Sequence, residues 1–177
     1  MSDHPQNRRI DRIRQSSFVE GLADLPLDEV RARRDECLAE REYLSLLRRL
    51  VQGRAEILQE ELASRGSDAE RAPLVERLTT ILASDEHNGT SRGEAVRVAI
   101  PDEELVLARR RVERLVSDAG ISDPGVLDDD ALAAAIDTLV GEEHEVSEAR
   151  RAVIDALDAL QDELKRRYKD DPTLALR

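Results

Sequence analysis

The chain has few of the residues that build a thick core. Its 177 residues include no Trp, one Phe and two Tyr, so that aromatic residues make up 2% of the whole. A core without aromatic rings must be built from Leu, Val, Ile and Ala, which is typical of helical bundles and coiled coils. Charged residues make up 37% of the chain, and both signs are mixed over most of its length, which suits exposed helix faces. The composition therefore predicts an all-α protein.

Cysteine and histidine are also scarce. Cys37 is the only cysteine, which excludes an intrachain disulfide framework and a Cys-based zinc site. Because Cys37 falls within the apolar pattern of a predicted helix, we expect a buried structural thiol. His4, His87 and His144 are dispersed, and the sequence contains neither a His, Ser and acid arrangement nor a Gly-rich phosphate loop. We therefore predict that the protein is not an enzyme and holds no metal.

The sequence has no long apolar run. Neither a signal segment nor a membrane span is visible, so a cytoplasmic location without membrane contact is expected. The net charge of −12 argues against direct binding to DNA, which relies on a positive surface. It favours a basic protein partner, although the same acidity is also explained by solubility alone.

Changes in composition divide the chain into three parts. Residues 1–23 are polar and basic and are predicted to form a flexible N-terminal arm. The apolar positions in this arm also permit a short helix that orders on a partner; they are Ile10, Ile13, Phe18 and Leu22. Residues 24–170 form the predicted helical coiled-coil domain, which binds ligand and partner, and residues 171–177 form a C-terminal tail.

Two long helices dominate the predicted domain. The first begins near Asp24 and ends at Arg65 and Gly66, with a seven-residue apolar repeat formed by Val30, Cys37, Leu44, Val51 and Leu58. The second begins at Asp128 and runs to about Tyr168. Shorter helices are predicted over 67–84 and 102–120, with a polar loop over 85–95 between them. The predicted architecture is an antiparallel coiled coil of two long helices with short additional helices.

A polar stripe on the first long helix recurs on the second. At about 100° per residue, the first stripe falls within a sector roughly 80° wide, away from the apolar seam; its members are Arg41, Ser45, Arg48, Gln52 and Glu56. An offset of 102 residues brings Ser45 onto Ser147. The same offset gives a second stripe, formed by Glu143, Ser147, Arg150, Ile154 and Asp158, and brings Arg49 onto Arg151. The shared Ser-x-x-Arg-Arg and the acid after it favour a true repeat over chance.

The repeated residue types suit a nucleotide ligand. Arg presents a planar fork to phosphate or to the O6 and N7 of guanine, and Ser donates to phosphate oxygens. A carboxylate accepts hydrogen bonds from the N–H groups of a base edge, and Arg also stacks on a base. Two such stripes suit a ligand with two guanines and two phosphates.

At these residues the sequence resembles the RsiG-type cyclic di-GMP-responsive anti-sigma factors of actinobacteria. That family carries the motif Glu-x3-Ser-x2-Arg-x3-Gln-x3-Asp once on each of two helices. The copy beginning at Arg41 departs at its first position and, conservatively, at Glu56. The copy beginning at Glu143 departs only at Ile154. The resemblance covers roughly residues 24–170.

The resemblance implies a switch protein. With cyclic di-GMP bound, such a protein holds a sigma factor of the flagellar and sporulation type away from RNA polymerase, and it releases the sigma factor when the dinucleotide falls. The resemblance also implies that two intercalated molecules of the ligand are bound. The expected ligand-binding residues are Arg41, Ser45, Arg48, Arg49, Gln52, Glu56, Glu143, Ser147, Arg150, Arg151 and Asp158. The alternative is a structural or scaffolding coiled coil without a nucleotide ligand, which explains the heptads and leaves the repeated stripe unexplained.

Overall fold

A computed structural model describes residues 5–66, 101–118 and 124–176 of the chain. In these ranges the chain is helical and contains no strand. The α-helices are α1 (Pro5–Ile13), α2 (Leu27–Arg65), α3 (Asp102–Asp118) and α4 (Asp129–Asp170). Short 3₁₀ helices cover Ser16–Phe18, Leu22–Asp24, Pro124–Val126 and Pro172–Leu176. The all-α class predicted from composition is confirmed.

The two long helices begin where local chemistry favours a start. In α4, Asp128 precedes the helix and its Oδ1 accepts a 2.7 Å hydrogen bond from the backbone N–H of Ala131. Asp129 and Asp130 then place negative charge in the first turn. The helix α2 has no side-chain cap at Pro26, but it carries two acids in its first turn.

The ends of the long helices lie close to their predicted positions. The helix α2 ends at Arg65, and Gly66 follows with a right-handed φ of −81°, so the freedom of glycine at positive φ is not used there. The helix α4 ends at Asp170, just before Pro172, which is consistent with the missing backbone donor of proline.

The helices α2 and α4 run antiparallel along their full length. At one end, Arg31 Nε donates to the Tyr168 hydroxyl at 3.0 Å. At the other, Arg65 Nη1 lies 3.0 Å from Asp129 Oδ1. At 1.5 Å per residue, the 39 residues of α2 make a rod of roughly 60 Å. The predicted antiparallel pair of long helices is confirmed.

The core follows the seven-residue repeat of α2. All five repeat positions are at most 3% exposed. They face an apolar stripe of α4 whose members include Leu132, Leu139, Val146, Val153, Leu157, Leu160 and Leu164, all buried. Cys37 is one of the fully buried residues, as predicted, and burial raises the pKa of its thiol to about 12.

The N-terminal segment differs from the flexible arm that we expected. Within residues 9–25, Ile13, Phe18 and Leu22 are buried in the common core. Arg167 of α4 donates to the backbone carbonyl of Leu22 at 2.5 Å. This hydrogen bond joins the 3₁₀ helix Leu22–Asp24 to α4. The segment docks because its apolar positions find cover on the long helices. The division of the chain into arm, domain and tail stays a prediction.

The helix α3 also packs on the long pair. Ala108 and Val112 are buried, and Arg111 Nη2 lies 2.7 Å from a carboxylate oxygen of Glu142 on α4. The predicted helix over 102–120 is confirmed as Asp102–Asp118. The predicted helix over 67–84 and the polar loop over 85–95 lie outside the described residues. Of the helices that the structure describes, none combines the length and the apolar character needed to span a membrane.

Candidate functional site

The two polar stripes lie side by side along one groove between α2 and α4. Because the helices are antiparallel, Ser45 lies opposite Arg150 and Gln52 lies opposite Glu143. The repeat relates each position on α2 to the position 102 residues later on α4, as Ser45 to Ser147. An antiparallel pair of repeated helices has an approximate twofold axis across the groove. The axis divides the groove into two related halves.

The first half of the groove centres on the Glu143 carboxylate. Its Oε1 accepts three hydrogen bonds, from Arg48 Nε at 2.7 Å, from Ser147 Oγ at 2.8 Å and from Gln52 Nε2 at 3.3 Å. Two of these donors come from α2 and one from α4 itself. We call this set half A, which consists of Arg48, Gln52, Glu143 and Ser147. It joins the two stripes directly.

The second half of the groove is built differently. Arg150 Nε donates to Ser45 Oγ at 2.9 Å, and Ser45 Oγ in turn donates to the backbone carbonyl of Arg41 at 2.7 Å. The twofold counterpart of Glu143 is Arg41, and the counterpart of Gln52 is Ile154. We call this set half B, which consists of Arg41, Ser45, Arg150 and Ile154. It contains no carboxylate, so Arg150 uses the serine hydroxyl as its acceptor.

The electrostatics of half A favour an ionised carboxylate. The hydrogen bond from Arg48 is the main cause of a lowered pKa of Glu143, and the bond from Ser147 acts in the same direction, while partial burial opposes both. The side chains stay accessible, with Arg48 41% and Glu143 26% exposed. None of the hydrogen bonds in the described residues goes to Glu143 Oε2. That oxygen is therefore available to a ligand.

The structure does not bring all the predicted site residues into these contacts. Arg41 Nη2 pairs with the neighbouring Glu42 at 2.9 Å. Four others are exposed and form no hydrogen bond or ion pair within the described ranges; they are Arg49, Glu56, Arg151 and Asp158. Their role as ligand contacts stays a prediction.

One side of the long-helix pair is covered and the other carries the groove. Tyr43 lies nine residues before Gln52, which puts it on the opposite side of α2 at about 100° per residue. Tyr43 lines a cavity of about 350 Å³, which α1 also lines through Ile10 and α3 through Arg111. The hydrogen bonds of half A and of the Ser45–Arg150 pair run only within α2 and α4. The short helices thus occupy the face away from the two stripes.

Sequence reasoning missed the ion-pair cluster that holds α1 in place. Arg9 Nε donates to Glu40 at 2.5 Å, and Arg9 Nη2 donates to Glu104 of α3 at 2.8 Å. Glu40 is only 1% exposed. The signal was present in the heptads, since Glu40 lies three residues after Cys37 and four before Leu44, at a spacing where an apolar residue is expected. A carboxylate at such a position requires a buried cationic partner.

Metal chemistry finds no support in the parts of the chain that the structure describes. Across residues 5–66, 101–118 and 124–176, no three side chains of His, Cys, Asp or Glu lie together so as to hold a metal ion. The polar groups of the groove suit an anionic organic ligand with hydrogen-bonding edges. We therefore describe the site as a polar groove.

Fold and groove together define an antiparallel coiled coil of two long helices with a repeated polar motif. Residues 16–82 match the model of the RsiG-like family, which is consistent with an RsiG-type protein. The matched span contains all of α2 and the first copy of the motif, and the resemblance seen in the sequence is thereby confirmed there. At the level of the family, the match supports a regulatory function of the anti-sigma-factor type rather than an enzyme. No curated protein matches the chain.

Proposed function

We propose that the protein is an anti-sigma factor whose hold on its sigma factor is controlled by cyclic di-GMP bound in the groove between α2 and α4. With the dinucleotide bound, it sequesters a sigma factor of the flagellar and sporulation type from RNA polymerase and so controls genes of differentiation. When the dinucleotide falls, the sigma factor is released. The match of residues 16–82 to the RsiG-like family supports the anti-sigma class.

One observation gives the main support for cyclic di-GMP as the ligand of the groove. The two copies of the motif, about a hundred residues apart in the chain, converge on one groove, where Arg48 reaches Glu143 and Arg150 reaches Ser45 across the helix pair. The sequence repeat alone does not require this convergence. It follows from the antiparallel register, which places the Ser and Arg positions of opposite helices together.

The chemistry of the groove fits the dinucleotide. Arg48 and Arg150 supply guanidinium groups for phosphate or for a guanine face, and Glu143 supplies an ionised acceptor for the N–H groups of a guanine edge. The predicted site residues include five arginines and three carboxylates, in a chain whose net charge is −12. A locally positive groove on an acidic protein favours an anionic ligand at that place.

The ligand and the groove share a symmetry. Cyclic di-GMP consists of two identical halves related by a twofold axis, and the groove has an approximate twofold axis of its own. This supports a compact dinucleotide ligand. The proposed stoichiometry of two intercalated molecules comes from the resemblance to the family. The net charge of the chain is −12, which supports a sigma factor that presents a basic surface as the partner.

The test is titration calorimetry with cyclic di-GMP, with and without the sigma factor. We expect the dinucleotide to bind and to strengthen the complex with the sigma factor. Arg48→Ala and Arg150→Ala should each weaken dinucleotide binding at least tenfold, because each removes a charge-assisted contact of about 1.5–3 kcal/mol. Absence of binding heat under both conditions would refute the assignment.

A matched control lies on the same helix. Arg54 is exposed on α2, and its helical position is turned away from Gln52. Arg54→Ala should leave dinucleotide binding within twofold of the original protein. An equal loss in Arg54→Ala and Arg48→Ala would point to net charge rather than to the groove.

The second candidate is a coiled coil in which the cross-helix contacts serve only to hold the helices. It is favoured by the Arg48–Glu143 and Arg150–Ser45 contacts themselves, because both join α2 to α4. Under this alternative, Arg48→Ala lowers the unfolding midpoint and leaves partner binding intact. Combined thermal unfolding and calorimetry separate the two candidates.

A further inference from the structure

Apart from the conservative change at Glu56, the two positions at which the chain leaves the repeated motif fall in the same half of the groove. Because Gln52 lies opposite Glu143, the twofold relation puts position 154 opposite position 41. Position 41 holds Arg where the second copy has Glu143, and position 154 holds Ile where the first copy has Gln52. Half A is complete, and half B has lost both the carboxylate and the amide. The changes at positions 41 and 154 therefore alter the hydrogen-bonding groups of half B and leave those of half A intact.

Half A has the groups needed to recognise a guanine edge. Three hydrogen-bond donors to Oε1 orient the Glu143 carboxylate. Its Oε2 accepts no hydrogen bond from the residues that the structure describes. A fixed carboxylate oxygen accepts hydrogen bonds from the N1–H and the amino group of guanine. Adenine has no hydrogen on N1 and no amino group at C2, so the same oxygen discriminates against it.

Half B has the groups needed to hold an anion. It contains the guanidinium groups of Arg41 and Arg150 and the hydroxyl of Ser45, and no acceptor that carries charge. Arg41 Nη2 pairs with Glu42 at 2.9 Å, and the pair is partly exposed, with side chains 21% and 29% accessible. Ile154 supplies no hydrogen bond. These groups bind phosphate oxygens and do not favour one base over another.

We propose that the groove is unequal, with half A as the guanine-recognising subsite and half B as a phosphate subsite, so that positions 41 and 154 determine ligand specificity and stoichiometry. The proposal rests on the cyclic di-GMP function proposed above. It requires that the intercalated pair of molecules be held in one preferred orientation, with a guanine recognised by Glu143. The bases that lie at half B have no carboxylate partner there.

Two single variants distinguish the subsites through the ratio of two affinities. The ratio of dissociation constants for cyclic di-AMP and cyclic di-GMP is measured by calorimetry in the presence of the sigma factor. Glu143→Gln should reduce this ratio at least tenfold, since the guanine acceptor is lost. Arg41→Gln should weaken both dinucleotides by the same factor and leave the ratio within twofold. Arg109→Gln, on the exposed surface of α3, is the control for a lost positive charge.

A double variant tests the asymmetry in the other direction. Arg41→Glu combined with Ile154→Gln restores the pair that half A retains. It should raise the ratio of dissociation constants for cyclic di-AMP and cyclic di-GMP at least tenfold, because half B then also carries a carboxylate that accepts from guanine, or it should raise the number of molecules bound per chain. Circular dichroism confirms that each variant keeps its helical content. An unchanged ratio and stoichiometry in the double variant, or an equal loss of the ratio in Arg41→Gln and Glu143→Gln, would overturn the inequality.

The outcomes separate this inference from the proposed function. If the original protein binds cyclic di-GMP and the double variant binds identically, the function stands and the inequality is refuted. If only the double variant binds, the inequality is supported and the function proposed for the original chain fails. If neither binds, with or without the sigma factor, both proposals are refuted.

Discussion

At the scale of single residues, arginine side chains form hydrogen bonds that join distant parts of the chain. Arg65 donates to the backbone carbonyls of Leu127 and Pro124 and so joins the end of α2 to the start of α4. Arg167 donates to the carbonyl of Leu22 and to the carboxylate of Glu163. The planar fork of Arg makes several such bonds at once, which Lys cannot reproduce.

Glu163 gives a prediction of pH dependence. Hydrogen bonds from Arg166 and Arg167 lower the pKa of Glu163 to about 2. The folded-state pKa is below the ordinary value, so the stabilisation is fully present above about pH 5 and is lost as the pH falls toward 2. Urea unfolding of the original protein and Glu163→Gln should differ at pH 7, and the difference should shrink steadily below pH 5. A difference that stays constant down to pH 2.5 would contradict this origin.

At the scale of elements, α1 is held by a charged contact as well as by apolar ones. Glu40 is buried within α2, and Arg9 of α1 bridges it to Glu104 of α3. Burial raises the pKa of Glu40, and the Arg9 guanidinium opposes this shift. A buried ion pair contributes little net stability when intact, but removal of one partner leaves an uncompensated charge. The contact therefore specifies where α1 docks.

Arg9→Ala should therefore destabilise the protein by about 2 kcal/mol at pH 7 and loosen α1. Without Arg9 the pKa of Glu40 rises further, so the folded state binds a proton more tightly than the unfolded chain. The deficit should then diminish as the pH falls from 7 to 5. Hydrogen exchange should show faster exchange in α1 than in the centre of α4. The double variant with Glu40→Gln should recover much of the loss, and failure to recover would assign the effect to packing.

The sequence predicts the elements better than their contacts. The seven-residue repeat from Val30 to Leu58 is local information, and it determines both the length of α2 and its buried face. The docking of α1 depends on Arg9 meeting residues of α2 and α3, up to 95 positions away in the chain. The convergence of Ser45 and Arg150 depends on the register of two helices, and periodicity fixes a face but not a register. The groove residues were predictable as types, and their pairing was not.

At the scale of the whole molecule, the groove exists only when both long helices are in place. Each half of the groove takes side chains from α2 and from α4, and neither helix alone carries a complete set. A ligand that binds the groove therefore binds the folded state and not the unfolded chain. Binding and folding are thermodynamically linked.

Cyclic di-GMP should raise the free energy of unfolding by about 2.7 kcal/mol at a concentration one hundred times its dissociation constant. The slope of the unfolding free energy against urea should stay unchanged, because the exposed surface area is the same. Thermal and urea unfolding with and without ligand provide the measurement. The Arg48→Ala variant should show a smaller shift at the same ligand concentration. Stabilisation of both proteins to the same extent would indicate binding elsewhere.

The antiparallel register also determines when the groove forms during synthesis. Ser45 and Arg150 are 105 residues apart in the chain. At roughly 5–20 residues per second, the second motif copy is translated about 5–20 s after the first. A nascent chain that has completed α2 presents an apolar seam without its cover and half of a groove without its partner. The groove is thus among the last features to form, and a chain truncated before α4 carries the first motif copy without its partner.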